Sequence, residues 1–222
     1  MRQKWAKIGQ SGNQTIYFLI ILFMQQLTIA PLAMASFITY DSVKYGLTII
    51  TIGLQVIFAW VIFKQVRKPL IERRVLNNQQ LIGVIVVAII GILIIQLGTT
   101  WLQQHQILTN NLNEERLQRI ADHNYLGFVI FTVVLGPITE ELVFRGWLFQ
   151  KWLAIWGPGI ISKVSIVLIS AIIFAVMHNP GAGINLVPYM LAGLLGGACY
   201  MMTGYIYVPI GIHVMLNIIG LW

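Results

Sequence analysis

The chain has 222 residues, of which 58% are hydrophobic and only 9% are charged. A soluble domain usually carries about 25% charged residues, so this composition excludes an ordinary soluble enzyme and indicates a polytopic membrane protein. The net charge of +7 comes from basic residues between apolar segments, which favours membrane orientation over nucleic-acid binding. The single cysteine, Cys199, excludes an internal disulfide and a cysteine metal site, and we expect it to be a small packing residue.

Seven apolar segments of a length suited to crossing a bilayer follow one another along the chain. They cover about residues 16–39, 45–64, 80–101, 125–150, 162–178, 184–203 and 205–221. The first segment follows basic residues as a signal peptide does, but it exceeds a signal core of about 7–15 residues, so we expect an uncleaved span. The last two are separated by little more than Thr203-Gly204, which predicts a tight turn. The sequence therefore predicts an all-α transmembrane helix bundle of about seven spans.

One long polar connection, residues 102–124, separates a three-span scaffold half, residues 1–101, from the C-terminal half, residues 125–222. We expect the connection to be a solvated loop, with a short helix lying at the membrane interface as the alternative. Its two histidines, His105 and His123, are assigned no role.

The positions of lysine and arginine predict the orientation, because cytoplasmic connections retain positive charge. If the spans simply alternate, only Lys44, Arg116 and Arg119 face one side of the membrane. The other side receives Arg2, Lys4, Lys7, Lys64, Arg67, Lys68, Arg73, Arg74, Lys151 and Lys163. The amino terminus is therefore predicted to be cytoplasmic, and with seven spans Trp222 is predicted to lie outside.

Polar groups within the spans are concentrated in the C-terminal half. A charged side chain there costs about 2.5–3.5 kcal/mol on insertion scales and is by default a functional-site hypothesis. Spans one to three contain almost nothing comparable, apart from the neutral Gln25, Gln26 and Gln55. The later spans contain Glu140, Glu141, Arg145, His178, His213 and Asn217.

The spacing of these residues predicts how they face. Residues four apart share a helix face, so Glu141 and Arg145 are predicted to form an ion pair within their helix. Glu140 is rotated by about 100° from Glu141, and no basic residue stands three or four positions from it. The same four-residue spacing relates Phe174 to His178 and His213 to Asn217. It also relates Gly193 to Gly197, and this pair of small residues predicts close packing of their helix against another.

A carboxylate, two imidazoles and an amide on three helices suit hydrolysis at an acyl centre. A carboxylate can act as general base towards water, an imidazole can orient that water, and an amide and a second imidazole can donate hydrogen bonds to an oxyanion. The sequence has no G-x-S-x-G serine, no candidate catalytic cysteine and no H-E-x-x-H helix. Zinc held by Glu140, His178 and His213 with a water is an alternative, and so is a purely structural role for the buried pair or either histidine.

Three motifs on three predicted spans resemble those of the CPBP family. They are Glu140-Glu141-x-x-x-Arg145, Phe174-x-x-x-His178 and His213-x-x-x-Asn217. The family includes type II CAAX prenyl endopeptidases and the bacterial Abi or bacteriocin-processing proteins. The resemblance extends to Pro137-Ile138 before the glutamates and to Val208-Pro209-Ile210 before His213, and it covers about residues 125–220.

The resemblance implies an intramembrane endopeptidase with a CPBP-type catalytic core in the C-terminal half. By position, Glu140 activates a water, His178 helps to hold it, and His213 with Asn217 stabilises the tetrahedral oxyanion. The supporting residues are Glu141, Arg145 and Phe174. Glu140 and both histidines are then expected to line one polar cavity near mid-membrane, bordered by irregular backbone around Asn179-Pro180-Gly181.

Members of the family are described both as metalloproteases and as metal-free glutamate proteases. No cofactor is favoured here, because Asn217 suits an oxyanion hole better than a metal shell. Zinc remains the alternative.

The chain resembles a bacterial member, which implies a multi-pass protein of the plasma membrane. The implied partner is a membrane-anchored peptide or protein, with a CAAX-type tail or a bacteriocin leader, and not nucleic acid. A non-catalytic bacteriocin immunity protein, a peptide-binding scaffold and a transporter are the alternatives, and the oligomeric state is not predicted.

Overall fold

The structure, a computed structural model, describes residues 2–66, 75–108, 112–180 and 183–220, with side chains from Gly9 onward in the first helix and from Asn113 onward in the fourth. Every regular element in these ranges is a helix, which confirms the predicted all-α class. The helices are α1 (Arg2–Ala35), α2 (Asp41–Val66), α3 (Asn78–Gln104), α4 (Leu112–His123), α5 (Tyr125–Trp156), α6 (Ile160–His178), α7 (Val187–Thr203) and α8 (Tyr207–Gly220).

Six of the described helices are long and apolar enough to cross a membrane, counting α7 with the short 3₁₀ turn that precedes it. The seventh apolar helix, α8, is shorter, at 14 residues. The chain is therefore a multi-pass membrane protein with about seven spans, as predicted. Over residues 112–123 the polar connection is the helix α4 rather than a loop, which favours the alternative given above. The location of α4 at the membrane interface stays a prediction.

The ends of α1 and α7 can be compared with the boundaries predicted from the sequence, and each has a clear physical explanation. Helix α1 ends at Ala35 and not near Thr39, and the Ser36 hydroxyl donates to the Ala33 carbonyl at 2.7 Å, satisfying a carbonyl of the last turn. The tight turn after Thr203 is confirmed. Gly204 has a φ of 72°, a left-handed conformation that glycine adopts without a steric penalty, so the chain reverses there.

The chain divides into two compact units that do not follow chain order. The first unit comprises residues 1–71 and 119–166, and the second comprises residues 72–118 and 167–222. Helices α1, α2 and α5 therefore belong to the first unit, and α3, α7 and α8 belong to the second. The functional division into residues 1–101, 102–124 and 125–222 stays a prediction.

In the first unit, side-chain hydrogen bonds join α5 and its N-cap to α2 near both ends. They run from Asn124 to Thr48 at 2.6 Å, from Trp147 to Gln65 at 3.0 Å, and from Gln150 to the Val66 carbonyl at 2.9 Å. The starts of the two helices are thus together, and so are their ends. Helices α2 and α5 run in the same direction, which strict alternation requires of a second and a fourth span.

This pairing bears on the predicted orientation. Lys64 lies in the last turn of α2, 3.5 Å above the Trp60 ring, and Lys151 lies near the end of α5, 5.6 Å from the Trp147 ring. Both basic residues therefore lie at the same end of the first unit. Much of the remaining basis of the prediction falls outside the described residues, namely Arg67, Lys68, Arg73, Arg74, Trp222 and the side chains of Arg2, Lys4 and Lys7. The cytoplasmic amino terminus stays a prediction.

The neutral polar residues of the first two spans have a structural use. Gln55 Nε2 donates to the Thr28 hydroxyl at 2.8 Å, and this hydroxyl donates to the Gln25 carbonyl at 2.6 Å. The Gln25 amide in turn makes a long contact of 3.5 Å with the Thr139 hydroxyl, directly before the two glutamates. All four residues are buried. Apolar spans one and two therefore contact the glutamate-bearing segment of α5 through a polar chain.

The second unit packs α3, α7 and α8 around an apolar core that includes Cys199, which is buried as the sequence predicts. A Cβ on Gly193 of α7 would lie 2.9 Å from the Cα of Ala171 on α6. No side chain fits at that distance, so only glycine allows the two helices to approach this closely. The close packing predicted from the glycine spacing is confirmed at Gly193.

Candidate active site

The two glutamates lie in a short α-helical segment, Gly136–Glu141, between two wider π-helical segments of α5, Ile130–Leu135 and Leu142–Leu148. Pro137 explains the first interruption. A proline has no N–H to donate and its ring excludes the carbonyl four residues earlier, so the ordinary helical ladder cannot continue through it. Segments of π-helix are rare and occur frequently at functional sites. The sequence analysis missed both segments, although Pro137 was a signal for the first.

Glu141 and Arg145 form the predicted ion pair. The distance from Arg145 Nη1 to Glu141 Oε1 is 2.9 Å, and the two side chains are 1% and 2% exposed, respectively. Away from water each charge depends on the other, because the desolvation penalty of one ion is offset only by a close partner. The pair therefore ties the glutamate segment to the second π-helical segment, where Arg145 lies.

Glu140 has a different environment from its neighbour, as the rotation between adjacent helical residues predicts. Its side chain is partly exposed, whereas Glu141 is buried. Its Oε1 lies 3.7 Å from the position that a Cβ on Gly136 would take, so the carboxylate is directed back over the preceding turn. The same Cβ would lie only 3.1 Å from the Phe131 carbonyl oxygen. A glycine at position 136 thus leaves room beside the Glu140 carboxylate.

In the second unit, Phe174 contacts both histidines. Its ring centroid lies 4.2 Å from that of His178 and 5.6 Å from that of His213, the second contact being edge-to-face. Phe174 is itself buried. The structure therefore brings the second and third motifs together around one phenylalanine. Asn217 lies one turn beyond His213 on the unbroken helix α8, as expected.

The tautomer of His178 follows from its hydrogen bond. Its Nδ1 lies 2.8 Å from the Phe174 carbonyl oxygen, and since a carbonyl only accepts, Nδ1 carries the hydrogen and donates. In the neutral ring the lone pair is then on Nε2. Nε2 is the nitrogen that can accept a hydrogen bond from a water or bind a metal.

A further aromatic residue, Tyr189, stacks on the His178 ring at 5.0 Å with an interplanar angle of 26°. The sequence analysis missed Tyr189, because it lies eleven positions after His178 in another helix and shares no spacing with the motifs. No feature of the sequence alone indicated the contact.

The predicted site residues are divided between the two units. Glu140, Glu141 and Arg145 belong to the first, whereas His178, His213, Asn217 and Phe174 belong to the second. The meeting of Glu140 with the histidines at one water stays a prediction. Of the expected irregular backbone, Asn179 and Pro180 are non-helical, and Gly181 lies outside the described residues. Across the parts of the chain that the structure describes, no three His, Cys, Asp or Glu side chains form a group suited to holding a metal ion.

Comparison with known proteins finds two similarities in the C-terminal half of the chain. Residues 122–219 match the model of a family described as type II CAAX prenyl endopeptidase, Rce1-like. A protein of Staphylococcus aureus (strain USA300), the membrane-embedded CAAX protease MroQ, is 34% identical over 91 residues, which cover 40% of this chain. The aligned stretch spans only 36% of the length of that relative. No solved structure matches the chain. The matched range contains all three motifs.

Proposed function

We propose that the chain is an intramembrane endopeptidase of the CAAX-protease type. The match of residues 122–219 to the Rce1-like family and the three CPBP-like motifs within that range support the proposal. The observation that carries the proposal is the contrast between the adjacent glutamates. Glu141 is buried and paired with Arg145, whereas Glu140 is only partly buried and its Oε1 lies over the preceding turn, beside Gly136. Three charged groups in an apolar span cost free energy, so they are expected to serve a function. Proton transfer by Glu140 is a function that explains why these groups are present.

In the proposed reaction the Glu140 carboxylate takes a proton from a water, and the oxygen of that water attacks the scissile carbonyl carbon. His213 and the Asn217 amide donate hydrogen bonds to the oxyanion that forms on the carbonyl oxygen. The carbon–nitrogen bond then breaks, and protonated Glu140 delivers its proton to the leaving amine. The products are a carboxylic acid and an amine, and Glu140 is returned to its starting state.

His178 holds the attacking water in this scheme. Because Nδ1 is committed to the Phe174 carbonyl, Nε2 accepts a hydrogen bond from the water and orients its oxygen lone pair towards the substrate. Arg145 balances the charge of Glu141 and keeps the segment that carries Glu140 in register. No step requires a metal. If zinc is bound, Glu140, His178 and His213 are the residues that would hold it, and it would polarise the water.

The proposed substrate is a membrane-anchored peptide or protein. The relative's description as a CAAX protease makes a CAAX-type tail the leading candidate, with a bacteriocin or leader peptide as the second. We propose the bacterial plasma membrane as the location, with a cytoplasmic amino terminus, so that the substrate reaches the site from the cytoplasmic side or laterally from lipid.

Cleavage by the purified full chain in liposomes tests the proposal. A prenylated CAAX peptide and a double-glycine leader peptide are each offered with and without a chelator, and product is measured by mass spectrometry. We expect cleavage of the CAAX peptide, undiminished by the chelator, and none by a folded Glu140→Gln variant. Tight binding of a peptide without cleavage would instead identify a scaffold or immunity protein. Loss of cleavage with chelator and its return with zinc would identify a metalloprotease.

A further inference from the structure

The imidazole of His178 contacts two aromatic rings, one tilted and one stacked. The Phe174 ring is 4.2 Å away with an interplanar angle of 36°, and the Tyr189 ring is 5.0 Å away with an angle of 26°. Phe174 belongs to the same helix as His178 and to its motif. Tyr189 comes from the next helix, α7, and belongs to none of the three motifs.

The hydrogen bond from Nδ1 to the Phe174 carbonyl fixes one atom of the His178 ring. The groups packed against the faces of the ring determine the tilt of its plane and with it the direction of Nε2. His178 is also the last residue of α6 and is partly exposed, so its helix supplies no further turn to pack against it. A stacked ring from another helix restricts this tilt, because offset stacking is the favoured arrangement of two aromatic planes.

The position of Tyr189 is set by two features of α7. Pro188 precedes it in the first turn, where the fixed φ of proline favours the helical conformation. Gly193, one turn after Tyr189, allows the backbone of α7 to touch α6 at Ala171. The stack of Tyr189 on His178 and the close approach of Gly193 to Ala171 thus join the same two helices, α7 and α6. The close backbone approach holds the two stacked rings at their observed distance.

We propose that Tyr189 is a positioning residue for His178, whose ring keeps Nδ1 on the Phe174 carbonyl and Nε2 directed at the reacting water. The consequence for catalysis rests on the proposed function, whereas the constraint on the imidazole does not. The phenol ring provides the constraint and its hydroxyl is not required.

Nitrogen NMR of the ring-labelled histidines tests the constraint without any substrate. The chain has only four histidines, so the His178 signal is assigned by its disappearance in His178→Gln. In the wild type and in Tyr189→Phe we expect a single tautomer protonated at Nδ1. In Tyr189→Leu, which keeps the apolar volume but removes the stack, we expect the Nδ1–H signal to broaden or a second tautomer to appear. An unchanged His178 spectrum in Tyr189→Leu would overturn the proposal.

Peptide cleavage supplies the second measurement. We expect Tyr189→Leu to lower kcat by about 3- to 10-fold, the range that loss of one aromatic contact allows, with little change in KM. Tyr189→Phe should keep most of the activity. The matched control is Tyr207→Leu, because Tyr207 is an exposed tyrosine at the start of α8, and it should behave as wild type. A loss in Tyr189→Phe as large as in Tyr189→Leu would assign the effect to the hydroxyl and overturn the proposal.

The two measurements separate this inference from the function on which it partly rests. If the wild type cleaves neither peptide, the proposed function fails and the spectrum of His178 alone decides the role of Tyr189. If Tyr189→Leu fails to fold, as judged by thermal unfolding, Tyr189→Met takes its place, because it also fills the position without an aromatic plane. An unchanged His178 spectrum in a folded Tyr189→Met variant would overturn the proposal.

Discussion

Arg145 and Glu141 form a salt bridge of 2.9 Å, and both side chains are almost completely buried. Glu141→Gln removes the carboxylate that Arg145 faces, and breaking a buried pair in this way typically costs about 3–5 kcal/mol. We expect a lower thermal unfolding midpoint in detergent and loss of cleavage together.

The double variant Glu141→Leu with Arg145→Leu tests whether the loss of stability in Glu141→Gln comes from the unpaired charge of Arg145 or from a change in packing volume. Replacing both charges by apolar side chains is often neutral for stability, so the midpoint should largely recover while cleavage does not. An unfolding midpoint of Glu141→Gln equal to that of the wild type would show that the pair contributes nothing to stability.

The neighbouring carboxylate should behave in the opposite way. Because Glu140 is partly exposed and glutamine has nearly the same shape, we expect Glu140→Gln to unfold at a midpoint within the error of the wild type. Cleavage should be abolished, since an amide cannot take a proton from water. Wild-type turnover by the folded variant would rule out Glu140 as the base.

The polar chain between the first two spans and α5 makes a separate prediction. Thr28→Val removes the hydroxyl that accepts from Gln55 and donates to the Gln25 carbonyl, at nearly constant volume. Since this leaves a buried amide without that acceptor, we expect a loss of about 1–2 kcal/mol in the free energy of unfolding.

The matched control for this prediction is Thr15→Val. Thr15 lies on the same helix and its hydroxyl donates to the Ser11 carbonyl at 2.9 Å, but it is exposed. It should have little effect on stability. Equal effects of the two valine variants would mean that the buried chain adds nothing beyond a local hydrogen bond.

The orientation can be tested with a single cysteine at each end of the chain. Replacement of buried Cys199 by alanine supplies the background, and Gln10→Cys and Trp222→Cys are then labelled with a membrane-impermeant reagent. We expect Gln10→Cys to react only from the cytoplasmic side and Trp222→Cys only from the outside. Labelling of both positions from one side would refute an odd number of spans.

Features that depend on local periodicity were predictable from the sequence. A run of apolar residues needs only length to cross a bilayer, so the number of spans followed directly. The Glu141–Arg145 pair followed from the four-residue spacing, because both partners lie on one helix face whatever surrounds them. The close approach at Gly193 followed from small residues, and the similarity to CAAX proteases followed from the order of three short motifs.

Features that join distant parts of the chain were decided only by tertiary structure. The contacts of Gln25 with Thr139 and of Tyr189 with His178 link different helices, and single residues in apolar spans carry no signal of their partners. The π-helical segments around the glutamates were likewise not predictable from helix propensity. Pro137 marks where the backbone hydrogen bonds of the α-helix are interrupted, but it does not indicate how many residues adopt the wider helix. The sequence determined which polar side chains lie within the membrane spans, whereas tertiary packing determined which residues they contact. The reason is that a contact between two helices depends on the placement of both, and the sequence of one helix does not contain the placement of the other.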